Sequence, residues 1–486
     1  MINFLLWVPA VVGLLTFVVP RNGIRIVPVI GALVAVVLAA IVVAGFDQGE
    51  PGLQHVVDES WIPDLGVRYE LGIDGISVFL VLLTTVLWAA ATLYSAFNQP
   101  ERPRIYFFML GVAETGALGA FLAQDLLLFV LFFDLMLIPF YFLIGAWGGE
   151  NRIAATTKMM VYTLVGSLLM LVGAIATAVI AADGGEVSFS LADLSANVLS
   201  EGSQDWIFWF FAAAFLVKMP AFLVHGWMPD AYRAAPIAVV AVLSGVLSKV
   251  GAYGFLRVAL PLYPDAAIRF QEVLLVIAVA GIVYGGAMAF TQTNVRLVAG
   301  FSSLAQLGFI TLGIFSLRPD GADGAVLQMV NHGLVVAPTF FIIGVLAARA
   351  GTEDLREMGG MAFRAPILAA LFLIVTLATL AMPGSANFVG EFYILIGAFQ
   401  SKIAYALIAT IGIAFAAFYA IRLYQRTMHN RLPEGVESRE ITWREGLVIV
   451  PLVACIVALA LYPGLILERG EDSVGQAVQP EVAAIE

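Results

Sequence analysis

The sequence predicts an all-α polytopic membrane protein with about 14 transmembrane helices. Three observations predict it. Of the 486 residues, 61% are apolar and only 12% are charged. That is about half the charge of a soluble domain, too little to coat the roughly three soluble domains this length would otherwise form. Apolar runs of about 20 residues recur, the length at which a helix crosses a bilayer. Lys and Arg collect in alternate loops, as the positive-inside rule requires. A soluble enzyme and a disordered chain are excluded. A β-barrel is disfavoured, because its strands would alternate over about 10 residues instead of forming solid runs. The net charge of −11 argues against nucleic acid as a partner. Cys455 is the only cysteine, so neither an intramolecular disulfide nor a cysteine metal cluster can form, and no metal site is expected.

In chain order the spans fall at 2–20, 25–46, 74–96, 105–124, 126–147, 155–182, 206–228, 236–259, 268–291, 295–317, 324–348, 366–400, 402–424 and 446–467. The first lacks a positively charged start and reads as a retained span, not a cleaved signal. The segment 366–400 is too long for one straight crossing and contains Pro383-Gly384, so it reads as one broken span. With the N-terminus outside, the inner loops hold 16 basic residues and the outer loops 6. The outer loops are acidic: residues 47–74 carry seven Asp or Glu, and 183–205 carry five with no Lys or Arg. Both termini then lie outside, because a miscounted helix would scramble the split downstream. Lipid is the expected surroundings.

An ionisable group at mid-membrane costs about 2.5–3.5 kcal/mol on insertion scales. Six sit near span centres: Glu114, Asp134, Lys218, Lys249, His332 and Glu391. The chain has only four lysines, and two of these are mid-span, while its twenty arginines stay mostly in loops. Lysine can release its proton when desolvated; arginine effectively cannot. Such lysines suit proton exchange better than static pairing. Asp134 lies in LFFDLMLIPFYFLIG, where Pro139 frees the carbonyl of Leu135. The plain alternative is a structural partner for a buried lysine, and tuning a lysine would itself need pairing. Lys218, in AFLVKMPAFLVHGW, adjoins Pro220, and a charge at a broken helix is the ion-site pattern of transporters. Lys249 is flanked by Gly245, Ser248, Gly251 and Ala252, which leave room for close helix packing or for water. Glu391 follows Pro383 by eight residues. His332 titrates near neutrality when unperturbed and so is a ready shuttle. Glu114, His225 and Arg257 are secondary candidates, whereas His55 and His429 read as solvated loop residues. The breaks at Pro220 and at Pro383-Gly384 lie five spans apart, hence in opposite orientation, as in an inverted repeat. No phosphate loop, dinucleotide fingerprint or haem ligand pair is present, so the chain shows no redox machinery of its own.

The stretches YELGIDGIS (69–77), FLAQDLLLFVLFFDLMLIPFYFLIGAWG (121–148), KMMVYTLVGSLLML (158–171), LVKMPAFLVHGWMPDAYRAAP (216–236), SKVGAYGFLR (248–257), QMVNHGL (328–334) and MPGSANFVGEFYILIGAFQ (382–400) carry a resemblance. In order, and over most of the chain, they resemble the antiporter-like subunits of bacterial respiratory complex I (NADH–quinone oxidoreductase), the M type above all. The L type would carry a long lateral helix after its core spans. The resemblance implies an N-terminal segment 1–96, a five-helix repeat 105–259, an inverted five-helix repeat 268–424 with helices 7 and 12 broken, and a C-terminal span and tail 425–486. It implies a proton relay of Asp134, Lys218, Lys249, His332 and Glu391, with an Asp134–Lys218 pair whose opening shifts the lysine. It implies no cofactor in this chain, FMN, iron–sulfur clusters and quinone in partner subunits, and L-type and N-type neighbours in a bacterial plasma membrane. Related subunits also serve Mrp-type Na⁺/H⁺ antiporters and ion-pumping hydrogenases. Two departures stand out: Asp134 replaces the usual Glu, and Gln306 replaces a histidine, so a relay through His332 must lean on water.

Overall fold

The computed structural model describes residues 1–48, 52–431, 436 and 438–485. Parts of the expected 47–74 loop and of the 425–486 segment therefore lie outside the described residues. The protein is a mostly helical, polytopic membrane protein. Helices α1 (Ile2–Leu15), α2 (Ile26–Ala44), α3 (Val78–Asn98) and α4 (Pro103–Leu122) lead into a helix interrupted at Met136, α5 (Leu126–Leu135) and α6 (Leu137–Trp147). Then come α7 (Arg152–Ala182), the short α8 (Leu191–Ala196), α9 (Glu201–Lys218) and the short α10 (Met228–Ala234). The continuous stretch α11 (Ile237–Leu262) precedes α12 (Pro264–Thr291), α13 (Val295–Ile314) and α14 (Pro319–Ala350). The chain ends with α15 (Pro366–Thr379), α16 (Ala386–Met428), α17 (Trp443–Leu461) and α18 (Gly464–Ile485).

Each expected span falls on helix, but among the described residues eleven helices are long and apolar enough to cross a membrane. The expected spans 366–400 and 402–424 are divided differently. The chain breaks between Thr379 and Ala386, where Ala381 and Gly384 have φ of +51° and +90°, and α16 then runs on past a single non-helical residue, Lys402. The expected seventh span ends early, at Lys218, because Pro220 cannot continue the hydrogen-bond ladder.

Two segments read as loop or tail carry structure. An antiparallel hairpin, β1 (Gln54–Ile62) and β2 (Val67–Ile73), pairs Asp58 with Glu70 and Ser60 with Arg68. This corrects the all-α expectation. Its four acids, Asp58, Glu59, Asp64 and Glu70, mask a period of two in β2, where Val67, Leu71 and Ile73 turn inward and are buried. The tail forms α18, whose Ile466, Val474 and Val478, eight and four residues apart, fall on one face and are buried.

Local sequence explains the starts. Pro103, Pro264, Pro319 and Pro366 occupy first turns, where the missing N–H costs nothing. Asp125 caps α5 by accepting from Leu128 N at 2.9 Å, and Asn294 caps α13 by accepting from Leu297 N at 3.2 Å. Both caps sit in the same device. The strand-like residue at each helix start bridges a later loop: Asp125 pairs with Ser190, and Asn294 with Asp354.

α11, α13 and α14 are buried almost all round, whereas α7 turns Leu164, Leu168, Val172 and Val179 outward. Close approach at the centre depends on glycine. A Cβ on Gly333 of α14 would come within 2.7 Å of the Gly245 carbonyl of α11. That contact brings the faces bearing Lys249 and His332 together.

Candidate functional site

Lys249 is fully buried, and α11 holds it between two π-helical turns, Leu243–Leu247 and Phe255–Ala259. Such turns are uncommon and frequent at functional sites. An ammonium has three donors, and Lys249 Nζ has three partners: Ser244 O at 2.7 Å, Ser248 Oγ at 3.2 Å and His332 Nδ1 at 2.8 Å. On the far side of the ring, His332 Nε2 lies 3.2 Å from Ser303 Oγ, which is 3.1 Å from Ser244 Oγ. If lysine carries the proton, Nδ1 must accept and Nε2–H must donate to Ser303. The alternative moves that proton onto the imidazole. Two cations at this separation would repel strongly in a buried site, so the pair carries at most one positive charge.

Lys218 is the last residue of α9, where the helix dipole favours a cation. Its Nζ donates to Phe133 O at 2.9 Å and lies 4.1 Å from the centre of the Phe133 ring. The expected direct pair with Asp134 is not formed: Lys218 has no carboxylate within 4.0 Å among the described residues, and Asp134 Oδ1, although buried, has no hydrogen-bond partner. Two features account for this. Aspartate is one methylene shorter than glutamate, and the ammonium is taken up by the carbonyl of Phe133, the residue before Asp134.

In the second half Glu391 is buried, and its Oε1 accepts from Gln306 Nε2 at 2.8 Å. Gln306 Oε1 in turn accepts from Gln328 Nε2 at 2.6 Å. His332 and Gln306 both line a cavity of about 30 Å³ that Asn387 and Tyr419 also line. This is room for a water or two, where a titratable tenth-span side chain is missing. Gln328, Asn331 and His332 occupy one face of α14, and Asn331 Nδ2 donates to Ala386 O at 2.7 Å, just past the break. The sequence reading missed Ser244, Ser303, Gln328 and Asn331. The run Gln328-Met-Val-Asn331-His332, polar at i, i+3 and i+4 within an apolar span, was the available signal.

The structure sets the secondary candidates apart. Glu114 is buried against α1 and α2 beside a cavity of about 20 Å³, with Oε1 unpartnered. His225 is half-buried among Phe222, Tyr284 and Phe301. Arg257 lies at the far end of α11, with Asp74 and Gln124. Pro220 and Pro383-Gly384 sit at the two breaks. Among the described residues, no group of three His, Cys, Asp or Glu side chains is placed to hold a metal ion.

The family model described as NADH:quinone oxidoreductase/Mrp antiporter, TM, matches residues 123–416. NADH-quinone oxidoreductase subunit M of Rhodobacter capsulatus is 38% identical over 94% of this chain and 91% of its own length. Respiratory complex I from Thermus thermophilus with bound NADH contains a chain that superposes with a TM-score of 0.92 at 29% identity, over 99% of this chain and all of that one. A chain of the Mrp complex from Dietzia sp. DQ12-45-1b shares the fold, with a TM-score of 0.84 at 20% identity over 99% of this chain and 98% of that one. The chain carrying this buried row of lysine, histidine and glutamate therefore belongs to the NADH-quinone oxidoreductase subunit M family, within the wider family of complex I and Mrp antiporter membrane subunits.

Proposed function

We propose that this chain is a proton-translocating membrane-arm subunit of an NADH:quinone oxidoreductase, a translocase subunit that performs no redox step itself. Partner subunits carry FMN, iron–sulfur clusters and quinone, and antiporter-like L-type and N-type subunits are its neighbours. The chain crosses the membrane fourteen times with both termini outside. Residues 1–96 lead, 105–259 and 268–424 form the inverted repeats, and 425–486 close the chain. The device that recurs at Asp125/Ser190 and Asn294/Asp354 supports the repeat reading.

The observation that carries the proposal is the Lys249–His332 contact of 2.8 Å, two touching titratable groups between the two repeats. Protons pass from the Asp134–Lys218 region to that pair, then across the small cavity to Gln306 and Glu391. Asp134 acts without touching Lys218: a change of its charge alters the field at the ammonium, which a backbone carbonyl holds in place. Moving one charge against 100 mV costs about 2.3 kcal/mol, the scale of a two-unit shift in a lysine's proton affinity. The test is the detergent-purified complex, assayed for flavin, iron–sulfur clusters and quinone reduction, then returned to vesicles. NADH-driven proton uptake that falls in Lys249→Ala is the expected result. A complex without redox centres that exchanges sodium for protons without an electron donor would overturn the reading.

A further inference from the structure

The N-terminal part of the chain packs around an acid that the row of lysine, histidine and glutamate does not use. Glu114, past the middle of α4, is 3% exposed, and its carboxyl has no hydrogen-bond or ion-pair partner among the described residues. It lines a cavity of about 20 Å³ together with Pro9 and Val12 of α1, Pro28 and Ala32 of α2 and Thr92 of α3. That is room for one water. Thr92 supplies the other polar side chain of the lining, and its hydroxyl too is without a partner among the described residues. Its neighbours on α3 behave differently: Thr84 donates to Leu80 O at 2.7 Å and Ser95 to Ala91 O at 2.8 Å.

No charge is placed to pair with the acid. α1 and α2 contain no ionisable residue, and α3 has only Tyr94. On α4 the others are Arg104, which donates to Phe17 O and Val19 O, and Tyr106, whose hydroxyl lies 3.0 Å from Ser95 Oγ. Asp134 of α5 and Lys249 of α11, helices that also pack on α4, do not line the cavity. A buried carboxylate without a partner gives up its charge by taking a proton, and the O–H of the acid then needs an acceptor. The seam around it is tight. A Cβ on Gly13 of α1 would come within 3.0 Å of the Phe108 backbone. Next to the acid, the Thr115 hydroxyl accepts from Ala10 N at 3.2 Å and donates to Leu6 O at 3.0 Å, tying α4 to α1 around Pro9. Such packing admits a neutral acid and one water, but not the hydration shell of a carboxylate.

Independently of the translocation reading, we propose that Glu114 is a proton-binding site in the N-terminal segment, its O–H and the Thr92 hydroxyl sharing one water, and that the bound proton latches α1 and α2 onto α4. When the proton leaves to water, the carboxylate draws solvent into the seam and the two helices loosen. Docking is complete while the acid is protonated and weakens as pH rises through its ionisation.

The test follows amide exchange, which reports local opening, in the intact detergent-purified complex from about pH 6 to about pH 10. Residues 2–15 and 26–44 are read against 78–98 as internal reference. Glu114→Gln keeps the shape of the neutral acid and cannot ionise. Relative to the reference, α1 and α2 of the wild type are expected to exchange about tenfold faster than in Glu114→Gln at the alkaline end, and equally at the acid end. Infrared difference spectra at pH 7, wild type minus variant, should show a carboxylic C=O band that shifts in heavy water. A carboxylate band in its place overturns the proposal. So does wild-type exchange over α1 and α2 that keeps pace with α3 across the whole range, a result that needs no variant to assemble.

Discussion

The two halves of the chain place ionisable groups of opposite kind near their helix breaks. In the first, a cation ends the broken helix, and Lys218 is held by the carbonyl and ring of Phe133. In the second, an acid follows the break, and Glu391 is held by the amide of Gln306, which Gln328 holds in turn. In both, the immediate partners cannot titrate. A backbone carbonyl and a side-chain amide fix position without competing for the proton, so each titratable group stays free to change state. The boundary between the halves, Lys249 and His332, is where two titratable groups touch directly. Fixed holders at the ends and two touching titratable groups in the middle are what the proposed relay needs.

The sharpest way to break this comparison is at Lys218. Lys218→Ala is expected to abolish proton translocation by the subunit while the complex still assembles, as read from vesicle acidification and complex yield. Lys218→Arg should fail nearly as completely, because guanidinium does not release its proton. Full pumping in the arginine variant would mean that the residue serves only as a fixed charge.

The next test is on the opposite side. Gln306→Leu strips Glu391 of its donor and Gln328 of its acceptor, a cost of about 1–3 kcal/mol for each buried group left unsatisfied. Pumping should fall and the midpoint of thermal unfolding should drop. Gln306→His, by contrast, restores a titratable group beside the 30 Å³ cavity, and is expected to retain pumping. Loss of pumping with histidine and retention with leucine would show that the amide chain is not used.

A smaller effect is expected at Asp134. Asp134→Glu adds the missing methylene and should let the carboxylate reach Lys218. A direct pair would hold the ammonium more tightly, slowing turnover severalfold at an unchanged proton-to-electron ratio. An unchanged rate would show that the carbonyl of Phe133, not the length of the acid, sets the position of Lys218.

The spans and both breaks were legible, because apolar length and proline act locally. Of the six ionisable residues read near span centres, Glu114, Lys218, Lys249, His332 and Glu391 are buried, and charge in an apolar run made them conspicuous. What stayed hidden was pairing. The residues around Asp134 and Lys218 suggested a salt bridge, but which oxygen the ammonium meets depends on how α5 packs against the end of α9. Ser244 and Ser303 look like ordinary small residues until α11, α13 and α14 bring them beside Lys249 and His332. The β-hairpin was obscured by its charge, and α18 by a polar face that lowers its mean hydropathy.

The mildest prediction concerns how each broken helix begins. α9 starts at Ser200 with no side-chain cap, whereas α15 starts under Glu440, whose carboxylate accepts from Ile367 N at 2.8 Å and Leu368 N at 3.0 Å. Burial pushes the Glu440 carboxyl up, but these two donors, the N–H of Ile441 and the charge of Arg349 outweigh it and hold the group below its usual range. A depressed carboxyl stabilises the folded state above its unfolded pKa of about 4.3, and that contribution is lost as pH falls through the folded value. Glu440→Ala should therefore cost about 1 kcal/mol at neutral pH, the usual worth of a helix cap. The gap from wild type should close below about pH 4, as the wild-type carboxyl protonates. Amide exchange across 366–379 at pH 7 and in acid measures it locally. Pumping should persist, because Glu440 lies in the loop beyond α16, away from the buried row. If exchange is unaltered, α15 is held by its packing against α14, α16 and α17, and the two broken helices start on equal terms.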